Sequence, residues 1–366
     1  LNGKATPPAG APGGLPGIEL LRFVCACAVL LWHYQHFAYI ANAAHDFSPE
    51  RQPFYAQLAF FYRFGLYGVQ VFWCISGFIF FWKYGATIAA RGIGAGRFFL
   101  LRFSRLYPLH LATLLLVAAL QAAYLGGHGY YFVYGDNSAA SFVLQLGMAS
   151  HWLFPLTTWS FNGPIWSVSL EVLAYLLFFV LTRRLGAGWA VTGALTLVAG
   201  LAWRYCDWPL LECLLYFYLG GLGARAHLAL ARRSSVQRRA LLAAAAILLA
   251  LVLLAPWRYP LAATQVLLPA TPLVILLLLA LPPLPGAAGR AAGVLGNLTY
   301  SSYLLHFPLQ VGIALACGAA GMAVPWQSRW LWLGFMGGTL VLAHLCYRRF
   351  ELPAQRWLRR RNSTLD

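Results

Sequence analysis

The sequence predicts an all-α fold: a polytopic integral membrane helix bundle of about ten transmembrane helices with both termini cytoplasmic. Three observations predict it. First, 61% of the 366 residues are hydrophobic and only 10% are charged, against roughly 45–50% and about 25% in soluble domains. So little charge cannot cover a watery surface, which excludes a soluble globule. Disordered chains are poor in apolar residues, which excludes disorder. Second, the apolar residues fall into runs long enough to cross a bilayer. Third, the net charge of +17, from 26 Lys+Arg against 9 Asp+Glu, gathers between alternate runs. In a soluble protein that excess points to nucleic acid. Here it sets helix orientation, and no nucleic-acid partner is expected.

Residues 1–17, rich in Pro, Gly and Ala, read as a flexible lead without an initiator Met, consistent with a processed start. The first apolar run, 18–40, is too long for the core of a signal peptide and lacks an obvious cleavage site. Nine more runs follow at 64–82, 98–125, 164–182, 186–203, 208–227, 240–255, 260–282, 294–317 and 326–347. The stretch 139–157 is ambiguous, because Gln145, His151 and Pro155 interrupt it. The basic clusters Lys83–Arg105, Arg183–Arg184, Arg225–Arg239 and Arg348–Arg361 decide the matter. If 139–157 spans, Arg183 and Arg184 fall on the side opposite Lys83–Arg105. If it is re-entrant or interfacial, every cluster faces the cytoplasm. Then 21 of the 26 basic residues lie inside, Arg51, Arg204, Arg258 and Arg329 lie outside, and Arg63 is unassigned. Residues 18–350 form one transmembrane domain, and 351–366 form a basic cytoplasmic tail.

Six of the seven cysteines sit inside apolar runs, and Cys206 lies in an outer connector. Buried Cys is usually a small hydrophobe. No His/Cys cluster has zinc spacing, so no metal site is expected.

Ionisable residues within spans are costly and mark function by default. Of the nine acids only Glu171 falls well inside a run. His33 matches it: each lies about 10 Å from the outer boundary at 1.5 Å per residue. His36 shares the His33 face at i+3. The bland alternative is that these groups wet a cavity or an interface. Arg102 and Arg105, spaced by three near the cytoplasmic start of the third run, share one helix face and can grip phosphate bidentately. Their bland reading is a snorkelling positive-inside anchor. Two further segments are polar for their depth: 162–175, with Trp166 beside Glu171, and 297–309, which puts Thr299, Ser302, Tyr303 and His306 around one face. The aromatic stretch 151–162 reads as an interfacial belt, or as rings that stack on a sugar.

Taken in order, these residues resemble acyltransferase family 3, polytopic membrane acyltransferases of cell-envelope carbohydrates and some small molecules. The opening LPGIELLRFVCACAVLLWHYQHF is similar to the family's L-D-G-x-R-G-x-A…H start, with His33 at the motif histidine. Pro16 and Glu19 replace the commoner Asp and Arg, and Arg22 lies one turn on. VQVFWCISGFIF (69–80), FLLRFSRLYPLH (99–110) with its R-x-x-R-x-x-P, PIWSVSLEVLAY (164–175), LTYSSYLLHFPL (298–309) and YRRFELPAQRW (347–357) complete the series.

The resemblance implies transfer of an acyl group, usually acetyl, from cytoplasmic acyl-CoA to a hydroxyl. Acetyl-CoA would be a co-substrate, with no bound cofactor. The acceptor would be a carbohydrate or lipid-linked glycan at the envelope, and the setting the bacterial inner membrane among its lipids. No C-terminal esterase-like domain, which some members carry, is expected. On this basis His33 is the expected base, with Glu171 orienting the imidazolium or acting on the acceptor directly. Arg102 and Arg105 are expected to bind the CoA phosphates. His36, Trp166, Ser302, Tyr303 and His306 are candidates to line the tunnel or acceptor site. The rival expectation is a transporter or flippase of a sugar or lipid-linked glycan, although no pair of Gly/Pro-broken helices marks the internal repeats such proteins carry.

Overall fold

A computed structural model describes residues 15–361. Most of the expected lead at 1–17, and the end of the tail after Arg361, lie outside the described residues. Helix α1 (Pro16–His33) opens on a proline in its first turn, where no backbone donor is lost. It tightens into a 3-10 turn at Tyr34–Ala38. An outer connector with a two-residue strand pairing, Tyr39–Ile40 against Ala43–Ala44, leads to α2 (Tyr55–Phe64). A 3-10 turn joins α2 to α3 (Gly68–Phe80), and a π-helical turn at Phe81–Gly85 carries α3 into α4 (Ala86–Ala89).

Next come α5 (Ala95–His128), the short α6 (Ala139–Leu146) and α7 (Ile165–Leu185). They are followed by α8 (Trp189–Tyr205), α9 (Pro209–Leu230), α10 (Ser235–Leu254) and α11 (Ala263–Ala280). Helices α12 (Gly286–Ala319) and α13 (Arg329–Cys346) lead through a second π-helical turn, Tyr347–Glu351, into α14 (Leu352–Arg361).

Among the described residues, nine helical stretches are at least 18 residues long and apolar enough to cross a membrane. Helix α8, with 17 residues, still reaches across at the lower limit and packs along α9. All ten predicted runs are helices. The ambiguous 139–157 does not span: it forms only the eight residues of α6, capped by the Ser138 hydroxyl, and then irregular chain. Ten crossings return the chain to the side on which it started, and the basic residues make that side the cytoplasm. Arg63, which the sequence leaves unassigned, pairs with Glu50 of the outer connector at 3.6 Å.

Lipid is as apolar as leucine, so helices in a membrane associate through close packing rather than hydrophobic expulsion. Helices α3 and α9 pack at backbone distance. A Cβ on Gly77 would run into the Phe217 carbonyl, and one on Gly220 into the Cys74 carbonyl. Around this crossing lies a ring-rich core in which Phe80 stacks on Tyr175 at 4.2 Å and meets Phe98, Phe178 and Phe217 edge-on. Helix α1 lies between α12 and α3. A second close approach occurs there, because Gly296 of α12 leaves the space that the Glu19 carboxylate fills. Helix α10 buries no residue and presents leucines to lipid. The bundle therefore has a tight centre made by α1, α3, α5, α7, α9 and α12, where the polar residues collect.

Candidate active site

The cytoplasmic part of α5 carries Arg102 and Arg105 one turn apart. Both line a cavity of about 130 Å³, with Arg22 of α1, Ser76 of α3, Glu171 and Tyr175 of α7, and Tyr303 of α12. Both also line a wider vestibule of about 780 Å³ whose wall includes Glu19, Lys83, Arg97, Glu351 and Arg359. Arg22, Arg102, Arg105 and Tyr300 belong to both spaces, so the vestibule leads into the cavity. The two π-helical turns supply Lys83, Tyr84, Tyr347 and Glu351 to the vestibule wall, and such turns are frequent at functional sites.

The guanidiniums here are held in different ways. Arg22 donates to Glu19 Oε2 at 2.8 Å and to Thr299 Oγ1 at 2.9 Å. Arg102 donates to the Tyr84 hydroxyl at 2.8 Å, with its guanidinium over the rings of Phe80 and Tyr84, a favourable setting for a weakly hydrated cation. Arg105 makes no hydrogen bond or ion pair to a protein group among the described residues, which leaves its fork available to a ligand. Glu171 sits beside Ser76 and Tyr175, whose hydroxyls lie 3.1 Å apart, and faces the charges of Arg105 and Arg22.

A second polar group lies towards the outer ends of the same helices. His33, the last residue of α1, has its ring centroid 5.0 Å from that of His36 and 4.8 Å from that of His306. His33 Nδ1 lies 2.8 Å from the Val29 carbonyl oxygen. A carbonyl only accepts, so in the neutral ring Nδ1 carries the hydrogen and Nε2 keeps the lone pair. Gln310 donates to the His33 carbonyl at 2.8 Å, fastening the end of α1 to α12. His306 is fully buried, and its ring nitrogens lie beside the Ser302 and Tyr303 carbonyls without a well-aligned hydrogen bond. Tyr134 and Phe307 close the cluster around His36.

Tyr303 stands where the two groups meet. Its hydroxyl lies 2.7 Å from Ser167 Oγ and donates to the Pro164 carbonyl at 2.9 Å. Its ring borders the cavity on one side and lies 6.0 Å from the His306 ring on the other.

The structure thus gathers Glu171, Arg102, Arg105 and Tyr303 around one cavity, and His33, His36 and His306 into a separate cluster. It does not join His33 to Glu171: no hydrogen bond links them among the described residues, and His33 Nδ1 is taken by the Val29 carbonyl. Ser302 hydrogen-bonds the Thr299 carbonyl of its own helix and is not on the cavity wall. Trp166 packs between Trp73 and His151, each at 5.8 Å, to the side of the cavity.

Sequence reasoning placed Arg22, Ser76, Tyr175 and Tyr300 within the matched segments but assigned none of them to the site, where all four line the cavity. It also placed Glu351 at a cytoplasmic end, whereas the π-turn extends the helix and buries this residue to 3% exposure, with Ser301 donating to it at 2.6 Å. On the outer side, Ser141 and Thr158 donate to the Asp136 carboxylate at 2.6 and 3.2 Å and hold its pKa below the usual carboxylate range, tying both ends of the 136–158 connector together. No group of three or more His, Cys, Asp or Glu among the described residues is placed to hold a metal ion.

The bundle and its buried site define a polytopic integral membrane protein with a basic vestibule open on the cytoplasmic side. Residues 15–348 match the sequence profile described as an acyltransferase domain, and the chain belongs to that family, the acyltransferase 3 family. It is similar to Acyltransferase MdmB from Streptomyces mycarofaciens, with 25% identity over 390 aligned residues covering 95% of this chain and 93% of the relative. No solved structure matches it significantly. The chain is therefore a membrane acyltransferase, which binds an acyl donor and an acceptor.

Proposed function

We propose that the chain transfers an acyl group, acetyl in the simplest case, from cytoplasmic acyl-CoA to a hydroxyl of a cell-surface or envelope carbohydrate, and that it does so in a bacterial inner membrane. One observation carries the reading: a basic vestibule narrows into a cavity that ends at Tyr303, beside a buried histidine cluster. That shape suits a long anionic donor with a reactive neutral tip. Arg102 and Arg105 take the phosphates. The slender pantetheine arm enters the cavity, where Glu171 accepts from its amide N–H groups and steadies Arg22 and Arg105.

The acceptor hydroxyl approaches from the histidine side. His33 Nε2 removes its proton as the oxygen attacks the thioester carbonyl. Tyr303 keeps its one hydrogen on the Pro164 carbonyl, and the Ser167 hydroxyl, 2.7 Å from the phenol oxygen, turns to donate to the developing oxyanion. The carbon–sulfur bond then breaks, and the proton passes from His33 to the thiolate, leaving the ester and free CoA. In this scheme the Val29 carbonyl takes the orienting part that a carboxylate plays in a triad.

The test is transfer by the purified chain in lipid nanodiscs, given labelled acetyl-CoA and isolated envelope glycan, with products read by mass spectrometry. Label found in ester linkage to the glycan is expected. Movement of glycan across vesicles without covalent change would favour a transporter and overturn the reading.

A further inference from the structure

Helix α14 lies beyond the matched acyltransferase domain, which ends at residue 348, yet it packs against α5 and forms part of the vestibule wall. Arg359 Nε donates to Ser104 Oγ at 3.0 Å, and Arg359 Nη2 donates to Gln355 Oε1 at 3.4 Å. Ser104 is fully buried and lies between Arg102 and Arg105 in the sequence of α5. The bond therefore ties the Arg359 guanidinium to the helix that carries the two arginines already assigned to the donor, and all three line the vestibule. The three differ in depth: Arg102 and Arg105 line both the cavity and the vestibule, whereas Arg359 lines the vestibule alone.

Coenzyme A is also ordered along its length, from thioester through pantetheine arm and diphosphate to an adenosine bearing a 3′-phosphate. With the thioester at the Tyr303 end, the diphosphate falls at the junction of the two spaces and the 3′-phosphate falls further out. Resting on the donor reading above, we propose that Arg359, delivered by the C-terminal helix and positioned by Ser104, binds the 3′-phosphate of coenzyme A and selects for it.

The test is equilibrium binding of CoA and of 3′-dephospho-CoA to the full chain in phosphatidylcholine nanodiscs. The wild-type chain should bind CoA about tenfold more tightly, the scale of one charge-assisted hydrogen-bonded contact at a partly exposed site. Arg359→Gln should abolish that gap while leaving 3′-dephospho-CoA affinity within about twofold, which also shows that the variant is folded. Arg356→Gln, one turn earlier and outside the vestibule wall, removes the same charge and should preserve the gap. Equal affinities in the wild type, or an equal loss for both ligands in Arg359→Gln, would overturn the inference while the donor reading stands. Failure of the wild type to bind either ligand would overturn both.

Discussion

The cavity and the histidine cluster share helices α1 and α12 and meet at one tyrosine, but they are built on opposite principles. Formal charge marks the cavity side: Arg22, Arg102 and Arg105 with Glu171 in the cavity, and Glu19 and Glu351 beside them. Among the described residues, the cluster has no carboxylate or guanidinium in contact with it; its members are imidazoles, aromatic rings and one glutamine. Fixed charge of both signs is what a polyanionic ligand with an amide-bearing arm requires. A neutral surround suits a base that must hold a lone pair and charge only transiently. On the proposed function, this contrast lets a chain with so few acids divide donor binding from proton transfer, with ionised groups on one side of Tyr303 and imidazoles and rings on the other.

The largest expected effect is on the neutral side. His33→Ala should lower kcat by about 10²–10⁴-fold, the usual range for removing a general base, while donor affinity stays unchanged in a CoA-binding assay. Turnover near wild type would end the base assignment.

Arg105→Ala should act in reverse. Donor affinity should fall by about tenfold or more, since a charge-assisted hydrogen bond contributes about 1.5–3 kcal/mol, with kcat little changed at saturating donor. A loss confined to acceptor binding would invert the siting of the two substrates.

Glu171→Gln tests whether the two regions are separate at all. The expected result is a severalfold rise in the KM for acyl-CoA with a smaller change in kcat. A collapse of kcat equal to that of His33→Ala, with donor binding intact, would mean that carboxylate and imidazole act as one unit.

The smallest expected effect is at the junction. Tyr303→Phe loses the bonds to Ser167 and Pro164, about 1 kcal/mol each, and should lower the melting temperature by a few degrees. An unchanged melting temperature would show that those bonds contribute nothing to the packing of α7 against α12.

The helices were legible because lipid allows only one solution: a long apolar run must satisfy its own backbone, and it does so as a helix. The same logic failed at α2, whose Gln57 and Arg63 break the apolar run, and at the π-turns, which leave no mark in hydropathy. His33, Glu171, Arg102 and Arg105 stood out because ionisable groups are rare at those depths. Depth, however, fixes one coordinate of three. His33 and Glu171 were placed at similar levels, but helix rotation turns one towards Val29 and His306 and the other towards Ser76 and Tyr175. No single sequence reports that azimuth. Arg359 was invisible for a different reason: it follows the last apolar run, and only the docking of α14 on α5 brings it to Ser104.

The hydroxyl bridge from Tyr303 to Ser167 and Pro164 bears on the cell as well as on the chemistry. Any protein that meets one reactant from each face of a membrane risks becoming a hole in it. Here the space reached from the cytoplasm stops at a phenol ring bonded across two helices, and the imidazoles beyond it lie outside its walls. On the proposed function, the thioester carbonyl lies against that ring, at the boundary between the charged cavity and the histidine cluster.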